Sequence, residues 1–202
     1  MLPDNFDFTG NLPDAVVLEG AECWEKWDGA FLPNIRAEFL IRYSPEKLQI
    51  VVRVEDKEYN QPYPLAQAWR ADSVQVALQT RAPGHRPGQN FTEVGAACCD
   101  GEPGLYLYGL EDSARRPGGR LTESRLQWLR TGQGYVYNIE LDAAELGLPV
   151  LEPGTRLGMA LIVNSSAGVD RDGYLYWGDG IGKNKNPRAF NLLELSEKQL
   201  EK

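Results

Sequence analysis

The chain has 202 residues, of which 42% are hydrophobic and 25% are charged, a balance typical of a globular protein and unlike that of disordered or fibrous chains. Because 29 acidic residues outnumber 21 basic ones, the formal net charge is −8, and repulsion by this charge disfavours nucleic acid as a partner. No run of the sequence reaches the roughly 20 apolar residues of a membrane span, so we expect no membrane insertion.

Alternation of apolar and polar residues predicts β-strands along most of the chain. The clearest pair covers 38–43 and 47–54, and the turn signal at 44–46 between them predicts a β-hairpin. In the second of these strands Leu48, Ile50 and Val52 share one face while Gln49 lies on the other, which is typical of a half-buried strand. Glycine and proline signals separate seven further predicted strands, at 72–79, 92–98, 105–110, 125–130, 135–141, 156–164 and 174–177.

Only 142–146 is predicted to be helical, with Asp142 as its N-terminal cap and Gly147 at its end. Many short strands with little helix predict an all-β fold, an antiparallel β-sandwich of immunoglobulin-like size. We expect one such domain at 21–195. Residues 1–20 are interpreted as an N-terminal arm or a linker remnant, and 196–202 as a polar tail.

Reactive residue types form no recognisable catalytic or metal-binding pattern. Cys23, Cys98 and Cys99 are too few for a disulfide framework and contain no zinc-binding pair. The single histidine, His85, lies in a loop rich in glycine and proline, where a solvated side chain is expected. The segment 170–173 resembles the start of a calcium loop but lacks the later ligands, so a hairpin turn is predicted there. We therefore expect a protein without catalytic residues.

Tryptophan is the more informative residue type. Trp69 precedes a predicted strand and is flanked by Asn60, Gln61, Arg70 and Gln75. An indole ring can stack on the apolar face of a sugar while polar side chains meet the hydroxyl groups, so a rim position for Trp69 favours sugar binding. The alternative is a tryptophan that caps the end of the core. Four other tryptophans are assigned to the core or its edge: Trp24, Trp27, Trp128 and Trp177.

Four segments, at 39–59, 69–76, 135–147 and 158–195, together resemble the family 9 carbohydrate-binding modules and the wider DOMON-like group of β-sandwiches. The resemblance extends over about 21–195. It implies a non-catalytic module that binds oligo- or polysaccharide at chain ends, within a larger glycoside-degrading or surface protein. It also implies an extracellular or cell-surface location, although this chain contains no secretory signal. The residues themselves predict no cofactor. The resemblance implies structural calcium, but its ligands have no match in this sequence.

Modules of this family hold a terminal sugar between two tryptophans. Trp69 matches the first of them, whereas Lys183, Asn184 and Lys185 stand where the second is expected. Lysines at this place suit acidic or sulfated sugars through charge-assisted hydrogen bonds.

The polar positions of the family also differ here. Gln75 stands at the position of an acidic residue, Glu93 near that of an arginine, and Ile162 at that of a glutamine, while Asn164 is retained. The predicted carbohydrate-binding site therefore consists of six residues: Trp69, Gln75, Glu93, Lys183, Asn184 and Lys185.

Two other functions remain open at this stage. The chain can be an interaction or spacer domain that has lost the sugar site, which the missing second tryptophan favours. A haem-binding redox domain is the third hypothesis, because some DOMON relatives bind haem through methionine and histidine. Its candidate ligands here are Met159, His85 and Met1.

Overall fold

Two antiparallel sheets form the structure, a computed structural model that describes residues 12, 14–26, 35–80, 91–108, 118–183 and 185–199. The strands in chain order are β1 Val16–Leu18, β2 Trp24–Lys26, β3 Arg36–Tyr43, β4 Lys47–Glu55, β5 Ser73–Thr80, β6 Phe91–Cys99, β7 Glu102–Leu107, β8 Gly119–Arg120, β9 Arg125–Arg130, β10 Tyr135–Asp142, β11 Arg156–Ser165, β12 Gly173–Trp177 and β13 Asn191–Glu194. One short α-helix, α1, covers Ala143–Leu146. The 3-10 helices of the described residues are Ala21–Cys23, Leu65–Arg70, Pro187–Ala189 and Glu197–Gln199.

The first sheet has the strand order β1-β3-β4-β10-β9, and the second has the order β2-β12-β11-β5-β6-β7-β8, with β13 also paired to β11. This arrangement confirms the predicted antiparallel β-sandwich. The hairpin of β3 and β4 is present with Tyr43 opposite Leu48, and Ser44 and Lys47 close its turn through backbone hydrogen bonds. Val16–Leu18, within the segment interpreted as an arm, adds an edge strand beside β3.

The main core lies between the two sheets. Alternate residues of β4, β5, β10 and β11 supply it, and almost all are completely buried: Leu48, Ile50, Val52, Val54, Val74, Val76, Leu78, Tyr135, Tyr137, Ile139, Leu141, Leu157, Met159, Leu161 and Val163. Removing this apolar surface from water is the principal source of the fold's stability. Trp24 is buried in the same core, and Trp128 and Trp177 pack at its edge, as predicted, whereas Trp27 lies outside the described residues.

The prediction of half-buried strands is wrong for the central strands, because the outer faces of both sheets are covered as well. On the first sheet Leu12 packs over Val51 and Val136. On the second sheet a segment that we call the covering segment, residues 178–183 and 185–190, lays Ile181 and Phe190 over the strands. Neither cover has an alternating sequence pattern, so periodicity within the strands could not reveal it.

The predicted helical turn is confirmed with both of its end signals. Asp142 Oδ1 accepts a hydrogen bond of 2.8 Å from the backbone N–H of Glu145. Gly147 ends the helix with a φ of 70°, a left-handed conformation that glycine adopts without steric cost. All nine predicted strands are also present, although the strand expected at 105–110 begins earlier, as β7 at Glu102.

The early start of β7 has a local cause. Asp100 and Gly101 have φ values of 52° and 81°, and they join Cys99 and Glu102, which face each other in the ladder. Two residues with positive φ form the preferred turn of a tight hairpin, for which Asp-Gly is a common sequence.

The described cysteines are all free, and no helix of the described residues is long and apolar enough to cross a membrane.

Gly134 is expected to tolerate no side chain where β10 approaches β4. A Cβ atom there would lie 2.0 Å from the carbonyl oxygen of Val54 and 2.8 Å from the backbone nitrogen of Asp56. Because both neighbours are backbone atoms, Gly134→Ala should lower the free energy of unfolding by about 2 kcal/mol. Gly132→Ala is the matched control, since a Cβ there meets nothing within 4 Å. Chemical denaturation of both variants measures the difference, and equal stabilities would contradict the prediction.

Candidate functional site

A cleft of about 320 Å³ opens on the outer face of the second sheet, beside the covering segment. Strands β5 and β6 form its floor, and the 3-10 helix Leu65–Arg70 and the loop between β11 and β12 contribute to its walls. The lining residues are Trp69, Gln75, Glu93, Tyr108, Arg171, Ile181, Gly182 and Lys185.

Strand alternation places Gln75 and Glu93 on the floor of the cleft. On β5 the neighbours of Gln75, Val74 and Val76, point into the main core, so Gln75 points to the outer face. Glu93 holds the equivalent outward position on β6. Gln75 Nε2 donates a hydrogen bond of 2.5 Å to Glu93 Oε1, and the two residues are only 3% and 1% exposed. The floor is therefore polar but almost completely shielded from water.

Lys185 neutralises the buried carboxylate of Glu93. Its Nζ donates to Oε1 and Oε2 of Glu93 at 2.7 and 2.6 Å and to the carbonyl oxygen of Ile181 at 2.8 Å. These three bonds equal the donor capacity of an ammonium group. Burial raises the pKa of Glu93, and the charge of Lys185 opposes this rise. The ion pair thus fixes the covering segment to the floor of the cleft.

A second cation, Arg171, joins the floor through Asn164. Arg171 Nη1 donates to Asn164 Oδ1 at 2.7 Å, and Asn164 Nδ2 donates to Gln75 Oε1 at 3.0 Å. Arg171 is 5% exposed, and burial lowers its pKa to about 10, which still leaves it cationic at pH 7. A continuous polar network therefore runs from Arg171 through Asn164, Gln75 and Glu93 to Lys185.

Trp69 lies at the mouth of this cleft with 37% of its surface exposed. The 3-10 helix that carries it is fixed by the carbonyl oxygen of Ala68, which accepts bonds of 3.0 Å from Gln61 Nε2 and 2.9 Å from Ser73 Oγ. The guanidinium carbon of Arg171 lies 5.6 Å from the centroid of the Trp69 ring. Trp69 therefore occupies a rim position, and the interpretation of this residue as a cap of the main core is wrong.

The structure brings together four of the six predicted site residues, Trp69, Gln75, Glu93 and Lys185. Lys183 lies outside the cleft, because its ammonium group forms an ion pair with Glu25 on the neighbouring strand β2. Asn184 lies outside the described residues, as does His85.

Four lining residues were not predicted from the sequence: Tyr108, Arg171, Ile181 and Gly182. Arg171 belongs to the segment 170–173, for which a hairpin turn was predicted. The segment lies where β11 connects to its antiparallel neighbour β12, as the turn prediction required, but no binding role was assigned to Arg171. The signal for Gly182 is its lack of a side chain, since a Cβ there would lie 1.9 Å from the hydroxyl oxygen of Tyr174. No sequence pattern marks Tyr108.

Among the described residues, no group of three or more histidine, cysteine or acidic side chains is placed to hold a metal ion. Asp72, a completely buried acidic residue, accepts hydrogen bonds from the backbone N–H groups of Asn60 and Ser166 at 2.6 and 2.8 Å. Met159, a candidate haem ligand, is completely buried between the sheets.

The fold is that of the carbohydrate-binding modules of family 9, as the sequence resemblance predicted. One similar structure is such a module from Caldicellulosiruptor kristjanssonii in complex with cellotriose, with a TM-score of 0.63 and 16% identity over 89% of this chain and 83% of that one. Another is a family 9 module from the same organism in complex with glucose, with a TM-score of 0.62 and 15% identity over 91% and 84%.

A third similar structure comes from Bacteroides uniformis and is described as a candidate carbohydrate-binding protein. It has a TM-score of 0.59 and 8% identity over 93% of this chain and 86% of that one. No protein-family model and no curated protein matches the sequence. At these identities the likeness concerns the fold, so function has to be argued from the cleft itself.

Proposed function

We propose that this chain is a non-catalytic carbohydrate-binding module that takes the end of a glycan chain in the cleft beside Trp69. The observation that carries the proposal is a partly exposed indole at the mouth of a cleft with a polar, shielded floor. Sugars present an apolar C–H face and polar hydroxyl groups, which match these two surfaces. The volume of about 320 Å³ is at the small end of ligand pockets and suits one or two sugar residues.

The neighbours in fold support this proposal, since two of them are family 9 modules in complex with glucose and cellotriose. The number of carboxyl groups described in the cleft also supports a non-catalytic module. Most glycoside hydrolases use a pair of carboxyl groups on either side of the scissile bond. Of the described residues that line the cleft, Glu93 alone has a carboxyl group, and Lys185 binds both of its oxygens.

A module of this kind acts by holding other domains on a glycan. We therefore place the chain, as part of the same proposal, in a larger glycoside-degrading or surface protein outside the cell. Structural calcium stays a prediction. Addition of a chelator to the purified protein, followed by thermal unfolding, measures whether the fold depends on it.

Trp69→Ala is expected to weaken glycan binding about thirtyfold, because removal of an aromatic anchor costs about 2 kcal/mol. A glycan array with the wild-type protein selects the ligand, and calorimetric titration then gives the two affinities. Leu129→Ala is the matched control, since Leu129 is 45% exposed but lies on β9 of the other sheet. Its affinity should equal that of the wild type.

The same titration distinguishes the proposed function from the alternative, an interaction or spacer domain. The observation favouring that alternative is that Lys185 already occupies both oxygens of the buried carboxylate. A wild-type protein that binds no mono- or oligosaccharide would support the spacer function and overturn the proposal. Equal affinities of the wild type and Trp69→Ala for a glycan would place the binding site elsewhere and overturn the assignment of the cleft.

A further inference from the structure

A cluster of side chains on the surface borders the mouth of the cleft. It consists of Tyr63, Arg70 and Asp170, none of which lines the cleft itself. Arg70 follows Trp69 in the chain and Asp170 precedes Arg171, so each is the chain neighbour of a lining residue. Because consecutive Cα atoms are about 3.8 Å apart, the cluster lies directly beside the cleft.

The carboxylate of Asp170 is held through one of its two oxygens. Arg70 donates to Oδ1 from Nε at 3.0 Å and from Nη2 at 2.7 Å. The Tyr63 hydroxyl shares its hydrogen between Oδ1, at 2.7 Å, and the carbonyl oxygen of Val169, at 2.8 Å. From the described residues Oδ2 accepts no hydrogen bond, and the side chain of Asp170 is 56% exposed. The carboxylate is therefore fixed in position while one oxygen keeps its acceptor capacity.

Arg70 supplies donors beside this acceptor. Its guanidinium carbon lies 4.2 Å from the centroid of the Tyr63 ring, a cation–π contact that helps to fix the guanidinium plane. Nη1 donates to Oε1 of Gln67 at 3.3 Å, so hydrogen bonds within the described part of the chain use three of the five N–H groups. The cluster thus places N–H donors next to a carboxylate acceptor before any ligand binds.

We propose, on the basis of the function proposed above, that Tyr63, Arg70 and Asp170 form a second subsite, which binds the sugar unit next to the one held at Trp69. Asp170 Oδ2 accepts a hydrogen bond from one hydroxyl group of that unit, and the guanidinium of Arg70 donates to the neighbouring hydroxyl group. A glycan chain that leaves the cleft crosses this cluster.

The chemistry of the subsite limits the sugar unit that it takes. A hydroxyl group can donate to Oδ2, whereas an ionised carboxylate or sulfate has no hydrogen to donate. The subsite therefore selects an uncharged unit with two neighbouring hydroxyl groups, as in glucose. Hydrogen bonds from Tyr63 and Arg70 hold the pKa of Asp170 below its usual range, so the acceptor is ionised at pH 7. Charge-assisted hydrogen bonds to an already ordered group contribute more to affinity than bonds to mobile side chains.

The first test compares two ligands on the wild-type protein. Glucose and cellobiose are titrated by calorimetry at pH 7, because the neighbours in fold hold glucose and cellotriose. Glucose can occupy only one subsite at a time, whereas cellobiose can occupy both. We expect cellobiose to bind about tenfold more tightly than glucose, as a hydrogen bond to a charged group would give.

Two variants then locate the second subsite. Asp170→Asn keeps the size of the side chain and one oxygen for Arg70, but it replaces the other oxygen by a donor. It should reduce the ratio of the cellobiose and glucose affinities from about ten to about two and leave the glucose affinity unchanged. Glu194→Gln is the matched control, because Glu194 is also an exposed carboxylate bound to an arginine, with Arg156 Nε at 2.8 Å, but lies away from the cleft. Its ratio should equal that of the wild type, and thermal unfolding confirms that both variants are folded.

The outcomes separate this inference from the proposed function. Equal affinities of the wild type for glucose and cellobiose would overturn the second subsite and leave sugar binding in the cleft intact. An equal loss of both affinities in Asp170→Asn would show that Asp170 acts only through the position of Trp69, and would also overturn the subsite. So would an equal reduction of the ratio by Glu194→Gln, which would show a general charge effect. Binding of neither probe would overturn this inference, and it would overturn the proposed function only if the glycan array gave no signal either.

Discussion

Replacement of Lys185 by methionine is expected to lower the free energy of unfolding by about 3 kcal/mol at pH 7. The substitution removes the cation that binds both oxygens of Glu93, a carboxylate that is 1% exposed. A buried charge without its partner costs far more than the pair itself contributes. Methionine keeps the length of the side chain, so that little packing is lost.

Lys183→Met is the matched control for this prediction. Lys183 has a similar sequence environment, but its ion pair with Glu25 joins side chains that are 47% and 41% exposed. Exposed pairs contribute little to stability, so the loss should be at most about 0.5 kcal/mol. Chemical denaturation measures both variants against the wild type, and similar losses for the two lysines would contradict the assignment of Lys185 to the buried pair.

The loss caused by Lys185→Met should also depend on pH. Burial already raises the pKa of Glu93, and removal of the lysine charge raises it further. Below its folded-state pKa the isolated carboxyl group takes up a proton, which removes the cost of a buried charge. The difference between variant and wild type should therefore be smaller at pH 5 than at pH 7, and a difference that grows on acidification would contradict this account.

The two lysines also show which property of this site could not be predicted from the sequence. Lys183 and Lys185 were predicted as equivalent, since both stand where the family has its second tryptophan. What separates them is the partner each meets, Glu25 on β2 or Glu93 on β6, and both partners are distant in sequence. The sequence therefore predicted that a lysine would line the cleft, but it could not show which of the two lysines would point into it.

The β-strands were more accessible to prediction because their signal is local. Alternation along 47–54 identifies the residues that face the main core, and the structure buries them all. Alternation within 72–79 likewise separates Gln75 from Val74 and Val76, and the structure places Gln75 on the outer face of β5, where it lines the cleft. Arg171 was missed because it lies in a connection between strands, where no period relates a residue to its surroundings.

Asp72 is the residue whose replacement should affect both the fold and the cleft. It is completely buried, and its carboxyl oxygens accept hydrogen bonds from the backbone N–H groups of Asn60 and Ser166. These donors belong to two loops, one before the 3-10 helix that carries Trp69 and one before Arg171. Asp72 therefore holds together the two parts of the chain that bring the indole and the guanidinium to the same cleft.

Asp72→Ala is expected to lower the free energy of unfolding by about 4 kcal/mol, because two backbone N–H groups that face a completely buried carboxyl group lose their acceptor at about 1–3 kcal/mol each. Sugar binding should fall with it. Asp170→Ala is the control, since the carboxylate of the exposed Asp170 accepts hydrogen bonds from the side chains of Tyr63 and Arg70 on the same surface, and its loss should change stability little. Equal stability of the two variants in chemical denaturation would contradict the role of Asp72.

The same carboxyl group predicts a dependence of stability on pH. Burial raises the pKa of Asp72 to about 8, against the two N–H donors that lower it. In the unfolded chain the group ionises near pH 4, so between about pH 4 and pH 8 the folded state holds a proton that the unfolded state has released. The stability that this group contributes is complete below pH 4 and is lost as the pH rises towards 8. Asp72→Asn cannot titrate, and its free energy of unfolding should fall less than that of the wild type between pH 5 and pH 8. Parallel curves for the two proteins would show that Asp72 is ionised in the folded state, and that its N–H donors outweigh the cost of its burial.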